Sequence, residues 1–248
     1  MSSVNRWAAL AVACAVLPVL PRSSSSRKPI ETVRVAGDYC PQVEQRCLRW
    51  LPNTDEVTGD ELLRCAEFAP SVCKATTRHM TFFIDRYEYP GRAGQLPVVD
   101  VSWEQAESLC GRAGKRLCTE DEWTLACEGN QLWPYPYGYV RDSQACNIDA
   151  PLRAPAAGGV TRAGPHWRSP LDQREPSGQR PRCVSPFGVF DMTGNVDEWV
   201  DGRASGHPSS SMGGYWGPVR DRCRVVTRAH GAKFTFYQTG FRCCRDAP

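Results

Sequence analysis

Hydrophobic and polar positions along the chain sort into a few short periodic stretches separated by long aperiodic ones. Residues 80–89, MTFFIDRYEY, are rich in aromatic and β-branched side chains and predict a strand. Ser102-Trp103-Glu104-Gln105 has the capping-box pattern, with Trp103, Ala106, Leu109 and Cys110 following on one face and Gly114 closing the helix. Thr119-Glu120-Asp121-Glu122 repeats the pattern ahead of a stripe of Trp123, Ala126 and Cys127. Upstream, Val43, Cys47 and Trp50 fall at i, i+4 and i+7 and predict a short amphipathic helix. From 129 to 188 the chain is Gly, Pro and aromatic residues without a period, and 204–211 (ASGHPSSS) reads as a surface loop. A structureless stretch of that length normally argues against a compact domain. Here it predicts a fold low in regular structure, held by disulfides, bound ions and buried aromatic rings.

Cysteine usage changes that picture most. The chain has 248 residues and 13 cysteines, too many for a reducing compartment unless they hold metal. Residues 1–22 combine Arg6 with an uncharged, largely apolar run from Trp7 to Leu20, interrupted by Pro18. That run is too short to span a bilayer and reads as a signal peptide. Ala11-Val12-Ala13 offers a small-residue cleavage site, and the following Cys14 is a candidate for lipidation in a bacterial lipoprotein signal. Residues 23–31 follow as a linker, 32–79 as a cysteine-rich lead-in that caps the main domain, and 80–248 as that domain. The twelve remaining cysteines are spread along the whole chain and suit a disulfide framework whose pairing spacing alone leaves open. No C-x-x-C pair supports zinc, and His79, His166, His207 and His230 lie far apart in sequence. The expected location is extracytoplasmic, as a bacterial envelope lipoprotein or a secreted or periplasmic protein. Membrane contact comes only through the N-terminal lipid.

Composition removes several function classes. With 41% hydrophobic and 23% charged residues and a mean hydropathy of -0.45, the chain is an ordinary globular one. Thirty basic against 27 acidic residues leave a net charge of +3, without the concentrated basic stripe that nucleic acid requires. There is no G-x-G-x-x-G, Walker loop, H-E-x-x-H, G-x-S-x-G or EF-hand ladder. The densest chemistry lies in Asp191-Met192-Thr193-Gly194-Asn195-Val196-Asp197-Glu198-Trp199. Carboxylates flank a Gly-Asn turn that frees backbone carbonyls, and such hard oxygen donors are what calcium prefers. The competing reading is a structural turn between two elements, with exposed acids.

The order of motifs across 80–244 resembles the formylglycine-generating enzyme, or sulfatase-modifying factor, family. The matching pieces are PVVDVSWEQAESLCGRAGKRLCTEDEW, YPYG, CNID, SPFGVFDMTGNVDEWV, GGYW, TRAH and TGFRC. The resemblance implies an α+β, loop-rich, C-type-lectin-like fold with little regular secondary structure, stapled by disulfides. It implies a calcium site formed by Asp191, Gly194, Val196 and Glu198, and the start of a second at Asn147 and Ile148. That second site lacks a clear later acidic ligand in the 155–170 loop. It also implies disulfides joining Cys110 to Cys243 and Cys127 to Cys223.

Members of this family oxidise a sulfatase cysteine to formylglycine with oxygen and copper held by two thiolates, soft ligands that suit Cu(I). The first of those cysteines falls at Pro218 by ungapped counting, so only Cys223 can serve as a catalytic thiol, and only if it is free. The expected function is therefore an exported, calcium-bearing, non-catalytic binding or accessory module for an unidentified ligand or protein partner. The alternative is a formylglycine-generating oxidase with an altered site. Trp133-Pro134-Tyr135-Pro136-Tyr137 and Tyr215-Trp216 are candidate contact loops, with core filling as the competing reading.

Overall fold

The computed structural model describes residues 31–52, 64–151 and 171–248. The expected signal peptide, Cys14, all but the last residue of the linker and the 155–170 loop lie outside them. In chain order the strands are β1 (Thr32–Tyr39), β2 (Val43–Glu44), β3 (Cys47–Trp50), β4 (Cys65–Phe68), β5 (Val72–Cys73) and β6 (Arg78–Asp85). Helix α1 (Trp103–Arg112), β7 (Arg116–Leu117) and helix α2 (Glu120–Glu128) follow. After the long loop come β8 (Asp197–Asp201), β9 (Ser209–Met212), β10 (Val226–Thr227), β11 (Thr239–Phe241) and β12 (Cys243–Asp246).

Two four-stranded sheets carry the fold, in the orders β1-β6-β12-β7 and β10-β9-β8-β11. In the first, β1 runs antiparallel to β6 along its whole length, from Thr32 opposite Asp85 to Tyr39 opposite Arg78. Its alternation of buried Val33 and Val35 with exposed Arg34 is the period of two that a half-buried strand shows. In the second, β8 pairs antiparallel with β9 and parallel with β11. The core between the sheets is built from Val35, Phe82, Ile84, Trp123, Leu125, Met192, Val200 and Met212. A second cluster packs Trp103, Ala106 and Cys110 of α1 on Trp199 and Phe241. The two indoles hold the elements in register: Trp103 Nε1 donates to Val200 O at 2.8 Å and Trp199 Nε1 to Val101 O at 2.9 Å.

Both helices start where their caps predict. Ser102 and Thr119 each accept the backbone N–H three residues on, and the Gln105 and Glu122 side chains reach back to complete the boxes. The strand expected at 80–89 forms as 78–85 and stops before Arg86. The helix expected from Val43, Cys47 and Trp50 is instead two short strands, β2 and β3. The physical reason is pairing: β2 lies against β5 and β3 against β4. The bridges Cys40–Cys73 and Cys47–Cys65 staple that extended arrangement. The division at 79/80 falls inside β6, and β1 from the lead-in is β6's neighbour, so the two stretches share one sheet.

All twelve described cysteines are paired. Besides the two bridges above, Cys110–Cys243 and Cys118–Cys244 tie α1 and the start of α2 to β12, Cys127–Cys223 ties α2 to the loop before β10, and Cys146–Cys183 closes the long loop on itself. Adjacent Cys243 and Cys244 point to opposite faces of β12 and so reach different partners, α1 and the start of α2. Six bridges in one chain are those of a protein that folds in an oxidising, extracytoplasmic compartment.

Candidate functional site

The turn between Phe190 and β8 needs unusual backbone. Asp191, Gly194 and Asn195 all have positive φ, 57°, 76° and 60°. Glycine is required at 194, because a Cβ there would strike the Asn147 carbonyl and the Ile148 side chain. Asn195 N–H donates to Asn147 O at 2.9 Å, and Asn147 Nδ2 donates to Asn195 Oδ1 at 3.1 Å. The two stretches expected to begin separate calcium sites are thus packed directly on one another.

Beneath this turn three carboxylates and one guanidinium are buried together. Arg242, fully buried on the residue between β11 and β12, donates Nε to Glu198 Oε2 at 2.7 Å and Nη2 to Glu198 Oε1 at 2.6 Å. Its remaining donors go to the carbonyls of Asp85, Arg86 and Phe190. Trp123 Nε1 also donates to Glu198 Oε2, at 2.8 Å. Glu88 accepts from Asn195 Nδ2 at 2.9 Å and from the Ser177 hydroxyl at 2.6 Å. Asp191 accepts the Gly178 N–H on Oδ2 at 2.7 Å. Burial pushes the Asp191 carboxyl up to about 7 and raises that of Glu88, with neighbouring carboxylates adding to the Glu88 shift.

Calcium, which the resemblance implies here, would need its oxygen donors from this set. The buried acids outnumber Arg242, and a carboxylate offers about four acceptor sites, of which Glu198 uses three and Asp191 one. No three His, Cys, Asp or Glu side chains converge on one point among the described residues. Backbone carbonyls of the turn would therefore have to complete the coordination.

The second locus is the segment where a copper pair would stand. Cys223 is bonded to Cys127 of α2 (Cα–Cα 5.5 Å) and is fully buried. The condition on which Cys223 could serve as a catalytic thiol is therefore not met in this structure. Pro218 is buried as well. The loop around it is clamped: Asp149 N–H donates to Gly217 O and Ala150 N–H to Trp216 O. Arg141 Nη2 bonds Val219 O at 2.9 Å and Asp221 Oδ2 at 2.6 Å. Arg141 in turn pairs with Asp149, which also holds Arg64.

Over this loop opens a pocket of about 280 Å³. Asp197, Tyr215, Val219, Arg220, Val225 and Arg228 are among its lining residues. The Asp197 carboxylate receives the Gly214 N–H at 3.2 Å and the Ser211 hydroxyl. Burial pushes it up to about 6. Arg228 pairs with Glu120 at 2.7 Å. Arg220 has no hydrogen-bond or ion-pair partner among the described residues. Sequence reasoning passed over Asp197 and Arg220, because neither residue type is unusual on a surface. It also passed over Glu88 and Arg242, although the latter stands inside the TGFRC piece.

The two aromatic candidate loops divide between core and surface. Tyr135 is buried against Phe68, with its hydroxyl on Cys65 O at 2.5 Å. Trp216 is buried beside Tyr237. Tyr215 faces the pocket. His230 stacks on Phe234 at 3.9 Å.

Known proteins resemble this chain in sequence and in fold. An "Inactive C-alpha-formylglycine-generating enzyme 2" from Bos taurus is 31% identical over 166 residues, covering 62% of this chain and 51% of that protein. A "Formylglycine-generating enzyme" from Thermomonospora curvata is 29% identical over 181 residues, covering 60% of this chain and 55% of that protein. The chain thus spans about half the length of the curated relatives it matches. The crystal structure of CarF superposes with a TM-score of 0.56 at 18% identity, covering 89% of this chain and 99% of CarF, which is a likeness of fold. The family model described as "Sulfatase-modifying factor enzyme 1-like domain" matches residues 52–247. The chain belongs to the sulfatase-modifying factor family and has its loop-rich, C-type-lectin-like α+β fold.

Proposed function

We propose that this is a non-catalytic, exported member of the family that works by binding a ligand in the pocket over the 213–229 segment. One observation carries the reading: Cys223 is bridged to Cys127 while Pro218 stands where a first thiolate would be needed. A bis-thiolate copper site cannot be built from one bonded sulfur and a proline. A binding domain needs only a pre-formed concave site on a rigid scaffold. Here the Arg141 clamp and the Cys127–Cys223 bridge hold the loop under the pocket.

Incubating the protein with Cu(I), oxygen and a peptide bearing a sulfatase-type cysteine tests the oxidase alternative. The expected result is no loss of the peptide thiol to aldehyde, and any turnover that survives chelator controls would overturn the reading. A thermal-shift screen of small polar ligands, scored against a Tyr215→Ala variant, tests the binding role independently. The expected result is at least one compound that raises Tm in the parent and not in the variant.

The proposal includes calcium at the 191–198 turn. The Asp191 and Glu198 carboxylates and the carbonyls of Gly194 and Val196 would hold the ion, which would supply positive charge to a buried, acid-rich turn. The excess of buried carboxylates over Arg242 supports this. Dialysis against a calcium chelator is expected to lower Tm, and calcium but not magnesium to restore it, because magnesium demands stricter octahedral geometry. An unchanged Tm would remove calcium from the account. The Ala11-Val12-Ala13-Cys14 sequence supports export with a lipid anchor on Cys14, which an intact mass of the mature protein reads directly.

A further inference from the structure

The inference that follows rests on the binding reading just given and names the ligand's chemistry. The pocket over the 213–229 segment is lined by two opposite charges, Asp197 and Arg220, that act on one another through space but form no hydrogen-bonded ion pair. Asp197 receives only neutral donors, the Gly214 N–H and the Ser211 hydroxyl. Arg220, on the same lining, has no hydrogen-bond or ion-pair partner among the described residues. Of the other charges close by, Arg222 has its Nε unbonded and lies over the Phe68 ring, outside the pocket lining, whereas three are matched. Arg228 is paired with Glu120, Asp221 with Arg141, and Glu198 with Arg242.

An acid and a base that share a small pocket ordinarily close on one another. Desolvating either one alone costs free energy that only a counter-charge recovers. Here the scaffold holds them apart. Asp197 is tied back to Gly214 and Ser211 at the start of β8. The Arg220 backbone lies in the loop between two carbonyls that Arg141 grips, those of Val219 and Asp221. At Gly214, φ is +78° and a Cβ would run into the Asp221 carboxylate, so the loop cannot relax there.

A ligand of single charge would satisfy one of the two groups and be repelled by the other. A ligand bearing both charges satisfies both. The volume of about 280 Å³ is at or below the low end of the range for drug-sized ligands. Val219, Val225 and Tyr215 add apolar surface to the same lining. We propose that the pocket binds a free α-amino acid, its ammonium against Asp197, its carboxylate against Arg220, and an apolar side chain along Val219 and Val225.

Titration calorimetry on the whole protein tests this with three probes of one shape: L-leucine, L-leucinamide, which lacks the carboxylate, and N-acetyl-L-leucine, which lacks the ammonium. L-Leucine is expected to bind one to one. Each blocked probe is expected to bind about tenfold more weakly or worse, the cost of one lost charged hydrogen bond. Asp197→Asn and Arg220→Gln should each weaken L-leucine by about tenfold or more. Arg182→Gln, far from the pocket, should leave it unchanged. Near-parental melting temperatures in the variants keep a folding defect from mimicking the result.

If a blocked probe binds as tightly as L-leucine, and does so through Asp197 or Arg220, the zwitterion is overturned while the binding reading stands. If none of the three probes binds the folded protein, the amino-acid ligand is overturned. The ligand screen of the preceding section then decides the binding reading on its own.

Discussion

Arg242 joins Glu198 of β8 to the backbone at Asp85, Arg86 and Phe190. It is fully buried, fills its fork with Glu198 and spends its other donors on three backbone carbonyls. Removing one partner of such a pair leaves the other charge uncompensated in a low-dielectric interior, which costs about 3–5 kcal/mol. Arg242→Met is expected to lose that much in denaturant unfolding. Arg242→Lys should also be destabilising, because an ammonium cannot reproduce the two-pronged contact. A loss below about 1 kcal/mol for Arg242→Met would show that Glu198 finds another partner. The acidic end of this cluster was legible in the sequence. Asp191, Gly194, Val196 and Glu198 lie within eight positions, and the structure gathers them at one turn. Glu88 and Arg242 were not, because they are far apart in sequence and act on one another only in the folded chain. Asp197 and Arg220 carried no signal, since what distinguishes them is the lack of a hydrogen-bonded counter-charge, and one chain read alone does not show contacts.

At the scale of elements, the two helices show how local chemistry survives into the fold. Each begins at a residue whose hydroxyl replaces a missing backbone partner, and each box is closed by the side chain three positions on. Ser102→Ala and Thr119→Ala are each expected to cost about 1 kcal/mol, read as a lower denaturation midpoint at unchanged slope. The Thr119 variant should be the more damaging. Its box partner Glu122 also carries the Arg116 pair, which the altered cap would loosen. If both substitutions are neutral, tertiary packing alone starts these helices. The lead-in went the other way. Val43, Cys47 and Trp50 have helical spacing, yet the stretch is extended because Cys47 is bonded to Cys65 and β3 pairs with β4. Leu48 and Trp50 are left half-exposed on β3. Periodicity describes one face of one element, and a disulfide to a distant strand overrides it.

For the whole molecule, the aperiodic stretch from 129 to 188 is where the sequence was least informative. Its described part has no regular element longer than an isolated bridge. Order comes from Arg141, Arg180, the Cys146–Cys183 bridge and the contacts of Asn147 with the 191–198 turn. Composition supports the expectation of a disulfide-held, loop-rich fold, and the six bridges and family match agree with it. The Cys127–Cys223 bridge unites the account. It joins α2 to the loop under the pocket and occupies the one sulfur that a copper thiolate there would need. Disulfide mapping of the native, non-reduced protein by mass spectrometry, after alkylation of free thiols, tests that claim most directly. The account predicts a cross-linked peptide pair containing Cys127 and Cys223, with no alkylation of either. An alkylated Cys223 in the folded protein, above all one that takes up Cu(I), would contradict it.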